Sequence, residues 1–195
     1  MKSETTEAAL AHAAATLQGL GVRFALVGGL AISVRSEVRF TRDVDLAVAV
    51  ANDVEAEDVI YRLRAAGYSP VTTVEHERHQ RLATARLRSP SGLVVDLIFA
   101  SCGIEAEVVN AASMFDYPGV GAIPVAESEE LLAMKVLSMT DQRLQDRIDA
   151  RNLLLCNEVD LARVRQRLRE IEQRGYDRDQ DLSEKLETVL TSLAP

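Results

Sequence analysis

Three aspartates stand in contexts where their carboxylates could act on phosphate groups. Asp43 and Asp45 belong to the run DVDLAVAV, which is typical of a strand. Side chains two positions apart on a strand lie on the same face, so both carboxylates can point at one place. They repel each other unless a cation joins them, and hard oxygen ligands suit Mg²⁺ or Mn²⁺, which can also bind substrate phosphates. Asp43 and Asp45 are therefore predicted metal ligands.

The third aspartate, Asp96, lies within the strongly apolar run LVVDLIF. An unpaired acid in such a strand is costly to bury, and a bound metal removes that cost. We expect Asp96 to complete the metal site and to take the proton from an attacking hydroxyl group, so that all three acids are catalytic. The alternative is that Asp96 points to solvent from an edge strand.

A glycine pair, Gly28-Gly29, follows the short apolar run RFALV. This order predicts a buried strand, a tight turn and a helix from Leu30 to about Arg35. Glycine lets the backbone approach a triphosphate closely, and the N–H groups at the start of the next helix face its negative charge. Gly28 and Gly29 are therefore predicted to position a nucleoside triphosphate (NTP).

Lys135 interrupts the otherwise apolar helical run LLAMKVL. Either its ammonium group reaches solvent from a surface position, or it neutralises the charge that develops on a leaving pyrophosphate. Asp146 and Asp149 are three positions apart and share a helix face. Surface pairing with Arg143 and Arg147 explains these two acids about as well as a binding site does.

Other ionisable clusters favour a solvated surface. His76 and His79 lack a third ligand at a suitable spacing, so an exposed loop is a better interpretation than a metal site. The arginine-rich run 163–178 is interleaved with acids and predicts a solvated helix face, part of which could meet an RNA backbone. Arg39 and Arg42 flank the paired aspartates and either contact phosphate or balance the acidic charge.

The glycine pair, the Asp-x-Asp strand and the later strand with one aspartate resemble the polymerase-β-type nucleotidyltransferase superfamily. More closely, GGLA at 28–31, RFTRDVDL at 39–46 and LLAMK at 131–135, with Asp146 and Asp149, resemble the AbiEii/MenT-like toxins. The resemblance covers about residues 20–155. One departure is Gln145, because the resembling toxins usually carry a basic residue just before the first of these two acids.

The resemblance implies an α/β (α+β) fold, in which helices flank a small mixed nucleotidyltransferase-type sheet and a cleft holds an NTP with Mg²⁺ or Mn²⁺. It implies transfer of an NMP group with loss of pyrophosphate, by a toxin encoded beside an antitoxin. In family terms the catalytic residues would be Asp43, Asp45, Asp96 and Lys135. The nucleotide-binding residues would be Gly28, Gly29, Ser33, Arg39, Thr41, Lys135, Asp146 and Asp149.

Composition further restricts the class of protein and its partners. The chain has 195 residues, 47% hydrophobic content and a formal net charge of −8. This length can bury a proper core, and the negative charge argues against a surface that binds nucleic acid everywhere.

Cys102 and Cys156 fit neither a zinc site nor a disulfide framework, and with no N-terminal apolar signal segment they indicate a reducing cytoplasm. No apolar run approaches the roughly 20 residues that span a bilayer, so no membrane partner is expected.

The periodicity predicts the elements that position these residues. We expect helices at 5–20, 54–66 and 105–112, a hairpin of strands at 80–88 and 93–100, and a short strand near 123–125. From Ser128 onward helical periodicity dominates, over 128–139, 141–156, 157–173 and 182–193. The predicted organisation is a catalytic domain over 1–125 and a helical C-terminal region over 126–195 that packs on it as a bundle.

Three functions fit these observations. The first is NMP transfer to a hydroxyl of RNA, such as a tRNA 3′ end, by a toxin with a cognate antitoxin protein. The second is the same chemistry on a small molecule such as an aminoglycoside, which the net negative charge favours. The third is a nucleotidyltransferase-like binding module without turnover, against which the complete set of three acids argues.

Overall fold

A seven-stranded mixed sheet lies at the centre of the structure, a computed structural model that describes residues 5–193. The strands are β1 (Phe24–Val27), β2 (Val44–Val48), β3 (Ser69–His76), β4 (Arg81–Arg88), β5 (Val94–Ile98), β6 (Ser113–Tyr117) and β7 (Gly121–Val125). Their order across the sheet is β3-β4-β5-β2-β1-β7-β6. The predicted mixed sheet is confirmed.

Helices flank this sheet, as predicted. They are α1 (Thr6–Gly19), α2 (Gly28–Arg35), α3 (Asp53–Ala65), α4 (Glu105–Ala111), α5 (Ser128–Ser138), α6 (Leu144–Cys156), α7 (Leu161–Gln173) and α8 (Leu182–Thr191). Among residues 5–193, none of these helices has the length and apolar character needed to cross a lipid bilayer.

The strand pairing places β2 and β5 in the interior of the sheet. β2 pairs with β1 in the antiparallel sense and with β5 in the parallel sense. β4 and β5 form the predicted antiparallel hairpin, and β3 extends it outward. On the other side β1 pairs with β7 in the parallel sense, and β6 closes that edge. Residues at matching positions of β4, β5, β2 and β1 therefore lie in one row across the sheet.

The two faces of this sheet differ in character. On β4, Ala83, Ala85 and Leu87 are buried, whereas Thr84 and Arg86 between them are only half-buried. Successive side chains of a strand point to opposite faces, so one face is apolar and the other carries polar groups. α1 packs on β2 and β5, and α3 packs on β3 and β4. We infer that these two helices cover the apolar face, which leaves the polar face available for a site.

The strands β3 and β6 are absent from the pattern-based prediction. Both lie at edges of the sheet, and β3 is exposed along its length from Ser69 to Glu75. A strand exposed on both faces shows no alternation of apolar and polar residues, and Pro70 is tolerated only because the strand is an edge. Elsewhere the boundaries shift by a few residues; α2, for example, begins at Gly28 and not at Leu30.

Glu130 joins two of the C-terminal helices through a buried ion cluster. Its side chain, on α5, is 0% exposed. Arg163 donates to both carboxylate oxygens at 2.9 and 2.8 Å, and Arg167 donates to one at 2.9 Å. Both arginines belong to α7. The solvated helix face predicted for the run 163–178 is therefore wrong at Arg163 and Arg167. This cluster fixes α5 against α7.

Replacing Glu130 with alanine should lower the free energy of unfolding by about 3 kcal/mol, because two arginines lose their buried partner. Denaturant unfolding of E130A measures the loss. The matched control is Glu187→Ala, which breaks the Arg165–Glu187 pair, whose side chains are 45% and 59% exposed. That control should lose less than about 1 kcal/mol. Equal losses in the two variants would contradict a fixing role for Glu130.

Candidate active site

The aspartates predicted to bind metal lie together on the polar face of the sheet. Asp45 and Asp96 are opposite each other in the parallel β2–β5 pair. Asp43 immediately precedes β2 and, two positions from Asp45, lies on the same side. β5 is an interior strand and the Asp96 side chain is 9% exposed, so the alternative that Asp96 points to solvent from an edge strand is wrong.

The Gly28-Gly29 turn lies directly beside these carboxylates. Val27, the last residue of β1, is opposite Asp45, and α2 begins at the next residue. Gly28 has a φ of +63°, and a Cβ atom there would collide with the Asp45 carboxylate. A Cβ atom on Gly29 would lie 2.6 Å from the Arg39 guanidinium. Gly28 is therefore needed both for its backbone conformation and for the space that it leaves to Asp45.

The carboxylates are close enough to perturb one another. The pKa of Asp45 is raised to about 6, first by burial and then by repulsion from Asp96 and Asp43. The Lys135 ammonium and the Gly29 N–H, which donates to Asp45, lower this pKa but do not cancel the rise. A cation placed between these acids would relieve the repulsion.

Arg86 is a site residue that sequence reasoning missed. It lies opposite Asp96 in the β4–β5 hairpin, and its Nε and Nη2 donate to the two Asp96 carboxylate oxygens at 2.9 and 2.6 Å. Its Nη2 is also 3.8 Å from Asp43 Oδ2. These carboxylates raise the pKa of Arg86, mainly through the hydrogen bonds to Asp96. Arg86 is thus the cation that neutralises Asp96 in this structure.

Lys135 is a buried member of an ion cluster. Its ammonium lies 2.7 Å from Asp146 Oδ1 and 2.7 Å from Asp149 Oδ2, and both of these acids are buried on α6. Arg143 contacts Asp146 at 2.7 Å, and Arg39 contacts Asp149 at 3.0 Å. The alternative of a solvent-reaching lysine is therefore wrong. Of the predicted surface pairs, Arg143–Asp146 forms, but its acid is buried and also contacts Lys135. Lys135 has three N–H donors, so one remains for a ligand.

A cavity of about 650 Å³ is lined by both sets of charges. Its lining includes Gly28, Gly29 and the three catalytic candidates Asp43, Asp45 and Asp96, and also Lys135, Arg39, Thr41, Arg143 and Asp146. The Lys135 cluster contains three cations and two acids, so it is net positive. The three aspartates with Arg86 are net negative. The same cavity therefore offers cationic groups to phosphate and carboxylates to divalent cations.

Ser33 and Asp149, both predicted to bind nucleotide, do not line this cavity. The Ser33 hydroxyl donates to the Gly29 carbonyl at 3.0 Å and accepts from the Arg39 N–H at 3.2 Å. It therefore joins the glycine turn to the Arg39 loop. The Asp149 carboxylate lies 2.7 Å from the Lys135 ammonium and accepts a hydrogen bond from the Gln145 amide at 2.8 Å. Ser33 therefore positions backbone groups near the cavity, and Asp149 positions the side chains of Lys135 and Arg39.

Within residues 5–193, no group of three His, Cys, Asp or Glu is arranged to hold a metal ion as it stands. His76 and His79 are half-buried and pack their rings on Tyr176, so the predicted exposed loop is wrong for these two side chains. At the three aspartates, Arg86 holds both oxygens of Asp96. The donor set still fits a divalent cation, because three acids meet on one face, and burial together with the neighbouring acids raises the pKa of Asp45.

A match to a known protein family identifies the kind of protein that carries this site. Residues 9–192 match the family described as the nucleotidyl transferase AbiEii toxin, type IV toxin–antitoxin system. The chain belongs to the AbiEii nucleotidyltransferase toxin family. Its glycine turn, paired aspartates and Lys135 segment all lie within the matched region, and the predicted family and enzyme class are confirmed. No curated protein shows a significant sequence match to this AbiEii-family chain.

Three solved structures are similar to this AbiEii-family chain. An antigenic nucleotidyltransferase-like protein from Paracoccidioides brasiliensis is 18% identical over 95% of this chain and 93% of its own, with a TM-score of 0.57. The lincosamide antibiotic adenylyltransferase LnuA, bound to lincomycin, is 17% identical over 80% and 100%, with a TM-score of 0.52. ANT(2″)-Ia, in complex with adenylyl-2″-tobramycin, is 12% identical over 86% and 97%, with a TM-score of 0.52. These likenesses confirm the nucleotidyltransferase fold.

Replacing Gly28 with alanine should weaken NTP binding by more than the backbone strain alone explains. The left-handed φ costs about 1 kcal/mol for alanine, and the new methyl group also displaces Asp45. Gly119, with a φ of +75° and no heavy atom within 4 Å of its Cβ position, is the matched control. Gly119→Ala should lose only the part of the stability that comes from backbone strain, and it should bind NTP normally. Calorimetric titration with NTP compares the two, and unchanged affinity in G28A would contradict the assignment of the turn.

Proposed function

We propose that this chain transfers an NMP group from an NTP to a hydroxyl group of RNA, with divalent cations held by Asp43, Asp45 and Asp96. The observation that supports this most strongly is the adjacency of Asp45 and Asp96 in one row beside the Gly28 turn. Members of the net positive cluster around Lys135 line the same cavity. We further propose that this activity is that of a cytoplasmic toxin restrained by a cognate antitoxin.

In the proposed reaction the acceptor hydroxyl oxygen forms a bond to the α-phosphorus while the bond between that phosphorus and the α–β bridging oxygen breaks. Pyrophosphate leaves, and the hydroxyl proton passes to a carboxylate. Divalent cations, when bound, would stabilise the entering and leaving oxygens. Lys135 lines the same cavity, where its third N–H can meet the charge that grows on the pyrophosphate.

Asp96 is the proposed proton acceptor, and this role requires a change at Arg86. In the structure both Asp96 oxygens accept hydrogen bonds from the guanidinium, so both are occupied by Arg86. Arg86 must therefore release at least one oxygen when substrate binds. Its side chain is 42% exposed, so it has room to turn toward solvent or toward a phosphate of the substrates.

RNA is the proposed acceptor because a strip of basic side chains begins at the cavity, although the chain as a whole is acidic. Arg143, Arg147 and Arg151 follow one another at four-residue spacing from the start of α6, and all are exposed. Like charges at this spacing destabilise a helix slightly, and phosphates would relieve the repulsion. Arg143 also lines the cavity, so the basic strip begins at the proposed site.

A small molecule is the second candidate acceptor. LnuA and ANT(2″)-Ia share this fold, and their structures hold lincomycin and adenylyl-2″-tobramycin respectively. A net charge of −8 would attract a cationic drug.

Incubation of the purified chain with total tRNA and each α-labelled NTP in turn tests the proposal. The wild type should label RNA with at least one NTP, and Asp45→Asn should reduce labelling at least about 100-fold, as expected when one preorganised charged group is lost. Asp58→Asn, at an exposed pair on α3, is the control and should label normally. Normal labelling by D45N would show that the site is misassigned. Labelling of an aminoglycoside but of no RNA would favour the second candidate.

A further inference from the structure

A second cavity, of about 910 Å³, opens on the same face of the sheet next to the nucleotide cavity. The two cavities share Arg86 and Asp96 as lining residues. The strand register shows why they are continuous. Thr72 on β3 is opposite Arg86 on β4. Arg86 is opposite Asp96 on β5, and Asp96 is in turn opposite Asp45 on β2. One row of side chains thus leads from the exposed edge of the sheet to the catalytic carboxylates, and neighbouring strands are about 4.8 Å apart.

The outer wall of this second cavity is the loop between α7 and α8. Gly175, Arg178 and Asp179 line the cavity. Arg78, at the end of the β3–β4 hairpin, donates to Asp177 at 3.3 Å and to Asp179 at 2.5 Å, so the loop is attached to the sheet. The cavity is therefore a built groove between two connected parts of the fold.

The backbone of this loop is strained where it faces the groove. Arg178 and Asp179 have φ angles of +58° and +57°. Left-handed conformations are uncommon for residues other than glycine, and they gather at binding and catalytic sites. The conformation presents Arg178 toward the groove, where its guanidinium donates to the Ser101 carbonyl at 3.2 Å.

Arg178 is the cation of the groove that can meet an anionic group. It contacts only neutral oxygen atoms of Ser101 and makes no ion pair within residues 5–193. The other two arginines of the lining are paired, Arg86 with Asp96 and Arg78 with Asp179. Two acids of the lining, Glu75 and Glu77, are exposed on the hairpin and make no ion pair in the described part of the chain. A phosphate group would therefore be held locally at Arg178, and not by the net charge of the groove.

The remaining lining suits a nucleotide. The hydroxyl groups of Thr72 and Thr84 lie on the floor, and Val74 and the ring of His76 supply apolar surface. Hydroxyls can hydrogen-bond ribose and phosphate oxygens, whereas rings and aliphatic side chains can contact a base.

We propose that this second cavity, the acceptor groove, holds the 3′-terminal nucleotides of the acceptor RNA, with a backbone phosphate at Arg178 and the terminal hydroxyl beside Asp96. The inference rests on the proposed function, since it assumes that the acceptor is RNA. It adds a location, a direction of entry along the Thr72–Arg86–Asp96 row and a specific phosphate contact.

The strand β3 offers a matched pair of variants for the test. Thr72 and Thr73 are adjacent, exposed and equally placed in an edge strand. Thr72 is opposite Arg86 on the groove face, whereas Thr73 is opposite Ala85 on the other face. Thr72→Glu and Thr73→Glu therefore add the same charge to the same strand, and only the first adds it inside the groove.

The measurement is binding of a fluorescently labelled oligoribonucleotide to the full chain, followed by anisotropy at several salt concentrations. Thr72→Glu should raise the Kd for RNA at least about tenfold, because a carboxylate is brought against phosphate. Thr73→Glu should change the Kd for RNA less than about twofold, as expected for a surface charge away from the contact.

Arg178→Gln should weaken RNA binding, and the slope of log K against log salt concentration should fall by about 0.7, since one phosphate contact to a single strand is lost. Arg64→Gln, on α3 and outside both cavities, should leave the slope unchanged.

The outcomes separate this inference from the proposed function. If the wild type labels RNA but T72E and T73E bind RNA equally, the acceptor groove is wrong and the proposed function stands. If the wild type labels no RNA, the proposed function fails and the groove inference fails with it. A raised KM for RNA with an unchanged KM for NTP in T72E would support the acceptor groove. Equal rises in the KM for RNA and the KM for NTP would overturn it.

Discussion

Repulsion between the carboxylates of Asp45 and Asp96 is the constraint around which the site is arranged. The parallel β2–β5 register holds the two acids side by side, and Asp43 adds a third negative charge. Left alone, such a cluster would destabilise the sheet, because buried acids of like charge cannot all ionise cheaply. The fold offsets this repulsion with Arg86 on one side and with the Gly29 N–H on the other. Both are contacts that a substrate with its cations could replace.

The C-terminal helices supply the opposite charge. Lys135 reaches the cavity from α5, and its ammonium is held by two buried acids of α6. α5 is in turn fixed to α7 by Glu130, so the position of Lys135 depends on packing far from the cavity. The loop after α7 also forms a wall of the acceptor groove. The sheet thus provides the carboxylates of the site, and the C-terminal helices provide its buried lysine.

The site residues that could be predicted from the sequence are those whose arrangement depends on local spacing. The pair Asp43–Asp45, the glycine turn and the acid within an apolar strand could be predicted because each depends on a few neighbouring residues. Arg86 could not, because its contact with Asp96 depends on the exact register of the β4–β5 hairpin, and a shift of one residue would place it on the other face. Edge strand β3 gave no apolar alternation, and the burial of Asp149 depends on long-range packing. The division at residue 125 remains a prediction, as do the roles of the individual site residues.

The most direct test of the central claim is a crystal structure with Mn²⁺ and a non-hydrolysable NTP analogue, in which anomalous scattering locates the metal. The account predicts Mn²⁺ bound by oxygens of Asp43, Asp45 and Asp96, with Arg86 withdrawn from at least one Asp96 oxygen and the triphosphate near Lys135. A nucleotide bound in the cavity while Arg86 still holds both Asp96 oxygens, with Mn²⁺ absent from the three acids, would contradict it.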